Sequence, residues 1–303
     1  MLKKIKIFLI FLVLLLILII LIKLLEKKPV NYSEKVFKNT NNLETKTFRT
    51  FYEGTSFYDN ALVSGEKQKK YFVEQVLAGI TPHHLIVADK IAAFFLGLTD
   101  EKIDSVILLS PDHFNSNKED ITVLDIDWQT PYGIIRNDQV ISAEIVSYSD
   151  SFSYSSDDNF EKEHGINYLL PFIKKIFPEI KVTSILINKK ASKQSLDKLS
   201  EAINSAVKNK KVLVVGSIDF SHDAPAEVAD QRDIISNEVI SLLDLDNYQK
   251  ISADCPQIAY VIMKYVKDKQ ARPELLWHTN SSRLTGKPEI DGVSHNFYYF
   301  LKK

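Results

Sequence analysis

The sequence predicts an α/β domain with a mostly parallel central sheet, helices on both faces, and one transmembrane helix ahead of it. Three observations lead there. Short apolar runs without alternation recur along the chain, amphipathic stretches separate them, and one long apolar segment stands near the start. Strands that are apolar on both faces belong to sheets buried on both sides, the habit of parallel sheets flanked by helices.

The apolar segment comes first. From Ile7 to Ile22 every residue is apolar, and the run reaches Leu25 with only Lys23 inside it. A helix needs roughly 20 such residues to cross a bilayer core. Ile5 to Leu25 meets that length if Lys6 and Lys23 snorkel to the interface. No Ala-x-Ala site follows, so an uncleaved anchor over residues 1–28 is expected rather than a signal peptide. Lys3, Lys4 and Lys6 precede the run, and Lys23, Lys27 and Lys28 follow it. A short basic N-terminus is expected to stay cytoplasmic, giving a single-pass membrane protein with an extracytoplasmic domain.

Residues 29–65 are polar and read as a tether and lead-in. The α/β domain is expected over 66–303. Val76–Thr81 reads as a strand and Ile86–Leu98 as a helix. Ser105–Ser110 is a buried-type strand, and Ile121–Leu124 and Gly133–Ile135 flank a turn at Thr130-Pro131. Gln139–Tyr148 reads as helix, Ser149–Asp158 as exposed loop, and Glu163–Phe177 as helix. Lys181–Ile187 and Val212–Ser217 are strands around a helix whose inner face carries Leu196, Leu199, Ile203 and Ala206. Helices near Glu227–Leu243 and Gln257–Val266 follow. Strands Glu274–His278 and Val293–Phe300 close the chain.

Composition narrows the function classes. Apolar residues make up 45% and charged residues 25%, ordinary globular values. A net charge of −1 provides no basic field for nucleic acid. Cys255 is the one cysteine, so no intrachain disulfide can form.

In open α/β sheets, sites form just outside the carboxyl ends of the strands. Pro82, His83 and His84 follow the first strand; Pro111, Asp112 and His113 follow the second; Asp219, Ser221 and His222 follow Val212–Ser217. Four of the seven histidines fall in these stretches. Imidazole binds zinc, iron and copper, and Asp112, Asp219, Glu163 and Cys255 are candidates to complete such a site. Acid–base catalysis by the same histidines without metal is the alternative. The blander reading makes each a satisfied polar residue at a strand end. Asp254-Cys255-Pro256 opens a helix, whose N-terminus would lower a thiol pKa. Glu163-His164 also opens a helix, as a cap or as an orienting pair for a ligand imidazole. Trp128, Thr130 and Tyr132 read as pocket rim or as core. His278 and His295 read as structural.

The succession Gly79-Ile80-Thr81-Pro82-His83, Ser110-Pro111-Asp112-His113, Trp128-Gln129-Thr130-Pro131-Tyr132-Gly133, Glu163-His164-Gly165, Leu170-Pro171-Phe172, Ser217-Ile218-Asp219-Phe220-Ser221-His222 and Asp254-Cys255 resembles the Memo family. Its prokaryotic members are called AmmeMemoRadiSam system protein B. The likeness runs in order over about residues 70–301. It implies a fold similar to class III extradiol dioxygenases, which use non-haem iron. It also implies a metal pocket of His83, His113, Asp219, His222 and Cys255. His84, Asp112, Trp128, Thr130, Glu163 and His164 are expected around it. The family's Ala after the first histidine is His84 here, its Asn is Asp112, its Glu-His-Ser becomes Glu163-His164-Gly165, and Pro256 replaces a Gly.

A mixed His/Cys set suits Fe(II) or Cu(I)/Cu(II), with Zn(II) as a further fit. The expected function is a membrane-anchored, iron- or copper-binding protein with a redox-active Cys255. Alternatives are a dioxygenase-like oxidoreductase, a hydrolase using metal-bound water, and a metal-free module that binds a small molecule or peptide. Whether the protein is an enzyme stays open.

Overall fold

Apolar runs rich in β-branched residues become the middle of the sheet, because only strands covered on both faces can use them. The computed structural model describes residues 46–50, 53–115 and 119–303. Its strands in chain order begin with β1 Thr47–Arg49, β2 Val76–Thr81, β3 Ser105–Pro111 and β4 Ile121–Leu124. Next come β5 Asp127–Thr130, β6 Gly133–Asn137, β7 Phe152–Ser155 and β8 Lys181–Ile187. The last are β9 Val212–Ser217, β10 Arg272–Asn280 and β11 Ser294–Leu301. They form one sheet in the order β1-β5-β6-β8-β3-β9-β2-β11-β10, with β4 also paired to β8 and β7 to β4.

The sheet is parallel at its centre and mixed at its edges. β6, β8, β3, β9 and β2 run parallel in succession. β11 is antiparallel to β2, and β10 to β11; β5–β6 and β4–β8 are antiparallel as well. The expectation of a mostly parallel sheet thus holds at the centre and fails at the edges. One short helix, Ser281–Leu284, stands between β10 and β11, and the chain folds back beside β10 instead of crossing over the sheet. β11 is buried at every position although it is antiparallel. A continuous apolar run reports burial on two faces, not strand direction.

Alternation along each strand splits the core in two. Ala78, Ile80, Ile107, Leu109, Val214 and Phe300 pack with helices Gln139–Val146, Lys193–Ala206, Ala226–Ser241 and Pro256–Lys267. Val106, Leu108, Leu213, Val215, Phe297 and Tyr299 pack on the other face with Thr55–Glu66, Ala88–Leu96 and Leu170–Ile176.

The stretch read as a lead-in contributes to this second layer. β1 pairs with β5, and helix Thr55–Glu66 buries Tyr58 and Ala61. Polar residues on its outer face hide that contribution from a composition reading. Ser149–Asp158, read as exposed loop, holds β7, which buries Phe152 and pairs with β4. The anchor expected over residues 1–28, and the tether up to residue 45, lie outside the described residues. Among the described residues no helix is long and apolar enough to cross a membrane.

Candidate metal centre

Three neighbouring parallel strands, β3, β9 and β2, end on the same side of the sheet. Their exits deliver His113, Asp219 and His83. The short helix His164–Asn167 brings His164, and the entry to helix Pro256–Lys267 brings Asp254.

One ligand atom each from His83, His113 and His164 lies within 4.8 Å of the others. The His113 and His164 rings are 3.8 Å apart and tilted by 31°, and each is 5.1 Å from the His83 ring.

Hydrogen bonds fix which nitrogens face the centre. Ser217 Oγ donates to the Gly165 carbonyl at 2.6 Å. Its single proton is therefore used, and at 3.0 Å it accepts from His83 Nδ1. His113 Nδ1 donates to Glu163 Oε1 at 2.6 Å, and its backbone N–H donates to Oε2. Both rings thus commit Nδ1 and turn Nε2 toward the centre, the arrangement that orients a metal-ligating imidazole. Glu163 also caps its helix by accepting from the Gly165 N–H. It is at once the helix cap and the orienting acid, roles that the sequence left as alternatives.

Carboxylates press on the same space. Asp219 Oδ1 accepts from the backbone N–H groups of His83 and His84, and Oδ2 lies 3.4 Å from His83 Nε2. Asp254 Oδ2 lies 3.4 Å from both His83 Nε2 and His113 Nε2. Neither Asp254 oxygen makes a hydrogen bond, although its side chain is 4% exposed. Burial and the Asp254 charge push the Asp219 carboxyl well above the usual range. Burial, with His113 and His164 beside it, holds His83 far below the usual imidazole pKa. Burial opposes protonation of His113 too, but Asp254 and Glu163 outweigh it and lift that ring to about 9. The crowded carboxylates favour positive charge beside the imidazoles; the raised His113 pKa is one sign of it, and a metal ion could take that proton's place. The residues present therefore fit a metal ion.

Other expected residues lie elsewhere. Cys255 is fully buried in the core, and its thiol faces Gln257 Oε1 at 3.4 Å and the Ile187 carbonyl at 4.0 Å. Burial and the Asp254 charge push the thiol pKa up, against the lowering expected at a helix start. His222 is exposed; its carbonyl accepts from Arg232, and its ring is near enough to influence His83 and His84. It is a rim residue outside the group of three. His84 Nδ1 lies 3.0 Å from His295 Nε2, which binds it to β11. Asp112 is buried, with its N–H donating to the Ile187 carbonyl. Trp128 packs edge-on against Phe48 in the core, 5.7 Å between centroids. Thr130 braces the β5–β6 turn by donating to the Gly133 carbonyl and accepting from Tyr132. The Trp128 and Thr130 side chains are both buried.

Sequence reasoning passed over Asp254, the less conspicuous neighbour of a lone cysteine, and Ser217, which fixes the His83 proton. Gly165 gains a reason as well. A Cβ there would collide with Ser110 Oγ and lie 3.2 Å from Ser110 Cβ, so the bare glycine lets helix His164–Asn167 seat this closely against β3 without moving Ser110.

Residues 56–294 match the family of Memo-like proteins. A MEMO1 family protein of Nitrosopumilus maritimus is 25% identical over 186 residues, 59% of this chain and 65% of that protein. The match thus spans slightly less than two thirds of that relative. One from Desulfurococcus amylolyticus is 27% identical over 219 residues, 68% of this chain and 77% of the relative. The crystal structure of an uncharacterized Escherichia coli K12 protein aligns with a TM-score of 0.48 at 10% identity. That alignment covers 73% of this chain and 99% of the other.

Proposed function

The chain belongs to the Memo-like proteins, and from that premise we propose that it binds a redox-capable transition-metal ion among His83, His113 and His164. The observation that carries this reading is the convergence of the three imidazoles with both Nδ1 protons of His83 and His113 already committed. A bound ion would supply Lewis acidity and, for iron or copper, one-electron chemistry. The chain's own part is to hold the rings: Ser217 and Glu163 orient them, and Asp219 ties the β2 exit to the β9 exit through two N–H groups. Iron, copper and zinc all suit imidazole donors.

Elemental analysis of untagged protein, purified under anaerobic reducing conditions, tests this. About one metal per chain is expected, and loss of it in a His83→Ala/His113→Ala double variant. No metal in the unsubstituted protein, or equal metal in the variant, overturns it.

The proposal extends to location. The apolar run from Ile7 to Leu25 supports a membrane anchor with the α/β domain on the outer side. Protease treatment of intact cells should remove the domain; a protected domain would reverse the orientation.

A further inference from the structure

We infer that Asp254, and not Cys255, completes the ligand set, so that the ion is held by imidazoles and a carboxylate without sulfur. This rests on the metal-binding reading above.

The first argument is the state of the Asp254 carboxylate. It is buried, neither oxygen makes a hydrogen bond, and Oδ2 stands 3.4 Å from two imidazole nitrogens. The Nδ1 atoms of those two rings are committed to Ser217 and Glu163, so Nε2 is the atom each ring turns toward the carboxylate. A buried carboxylate without a well-formed hydrogen bond is costly. A metal ion among the three atoms, in place of a proton on His113, would be coordinated by all of them.

The second argument is direction. The loop carrying Asp254 is tied down on both sides of the carboxylate. Ala253 forms a bridge with Phe220, and the Asp254 N–H donates to the Asp219 carbonyl at 3.0 Å. Cys255 stands immediately before helix Pro256–Lys267, with φ −149° and ψ 82°. The two neighbouring side chains go to different places, and it is Asp254 that faces the histidines. The Cys255 sulfur spends its contacts on Gln257 and the Ile187 carbonyl, within the apolar cluster that includes Ile187, Ile258 and Ala259.

The consequence concerns metal choice. Asp254 with His83 and His113, the two rings whose Nε2 it faces, makes the two-histidine, one-carboxylate core that suits non-haem Fe(II), and His164 adds a third imidazole beside it. Nitrogen and oxygen donors favour Fe(II), Co(II) or Zn(II), whereas Cu(I) would want the thiolate.

Co(II) titrated anaerobically into the full chain is the test, read by calorimetry and by absorption. The unsubstituted protein should bind Co(II) without a thiolate-to-cobalt charge-transfer band in the near ultraviolet. Cys255→Ser should keep the affinity within a few-fold. Asp254→Asn, which preserves shape, should lose at least the ~10–100-fold seen when even an outer orienting group is removed. A sulfur band that vanishes in Cys255→Ser, or an Asp254→Asn variant that binds as tightly as the unsubstituted chain, overturns the inference while leaving metal binding intact. No Co(II) binding at all brings down the proposed function and this inference together.

Discussion

His83 and His84 are neighbours in the chain yet enter two different environments. His83 joins His113 and His164 in a group in which Ser217 orients the His83 ring, Glu163 orients the His113 ring, and Asp219 and Asp254 face them. His84 pairs ring to ring with His295, whose Nδ1 is buried without a partner. Burial and the neighbouring His84 and His222 drive the His295 pKa down to about 3. The two groups hold similar imidazoles; they differ in counter-charge. On the proposed reading, carboxylates and committed Nδ1 atoms make the first a cation seat. The second is a neutral hydrogen-bonded pair that fastens the β2 exit to β11.

The sharpest way to break that contrast is to remove one ring from each. His83→Ala should reduce Co(II) affinity by more than ~100-fold, beyond the loss that follows removal of an orienting partner. His84→Ala should leave it within a few-fold. Equal losses would mean that the two groups form one site. A smaller effect is expected from Glu163→Gln. Glu163 is fully buried and accepts three hydrogen bonds, two of them from His113. The amide keeps the shape but loses one acceptor. Metal affinity should fall by ~10–100-fold while circular dichroism stays unchanged. An unchanged affinity would reduce Glu163 to a helix cap.

Gly165→Ser tests how the site is seated. The new side chain meets Ser110, and thermal unfolding should show a loss of about 1–3 kcal/mol, the usual cost of overpacking. Adding Ser110→Ala should recover most of it. A Gly165→Ser protein as stable as the original would show that the short helix can shift without cost.

Much of this was legible from residues alone. β8 and β9 carry the bounds their apolar runs suggested, and β3 reaches one residue further, to Pro111. His83 and His113 were visible because histidines directly after buried strands land at the active end of such sheets. Strand direction at β10 and β11 was not legible, because burial on both faces gives the same pattern for either direction. The roles of Asp254 and Cys255 were hidden because the backbone at the helix entry, not residue type, decides which neighbour points inward. Trp128 could be rim or core on its own; its partner Phe48 lies on a strand within the segment read as tether.

The smallest effect completes the contrast, because His278 is the intermediate case: one imidazole given one carboxylate as hydrogen-bond partner. His278 Nε2 lies 2.9 Å from Asp233 Oδ2 where β10 packs beside helix Ala226–Ser241. That hydrogen bond outweighs burial and raises the His278 pKa above its ordinary value of 6.5. A pKa raised on folding means the folded state binds the proton more tightly. The added stability is therefore complete below pH 6.5 and fades as pH rises through the folded-state pKa. Since His278 is a third exposed, solvent limits the gain to ~0.5 kcal/mol. Chemical denaturation of the unsubstituted chain and of His278→Gln, across pH 5.5–9, should show the difference between them shrinking toward alkaline pH. A difference that is constant with pH would mean that His278 packs as a neutral ring. Counter-charge would then separate the other two histidine groups without being the rule for the molecule.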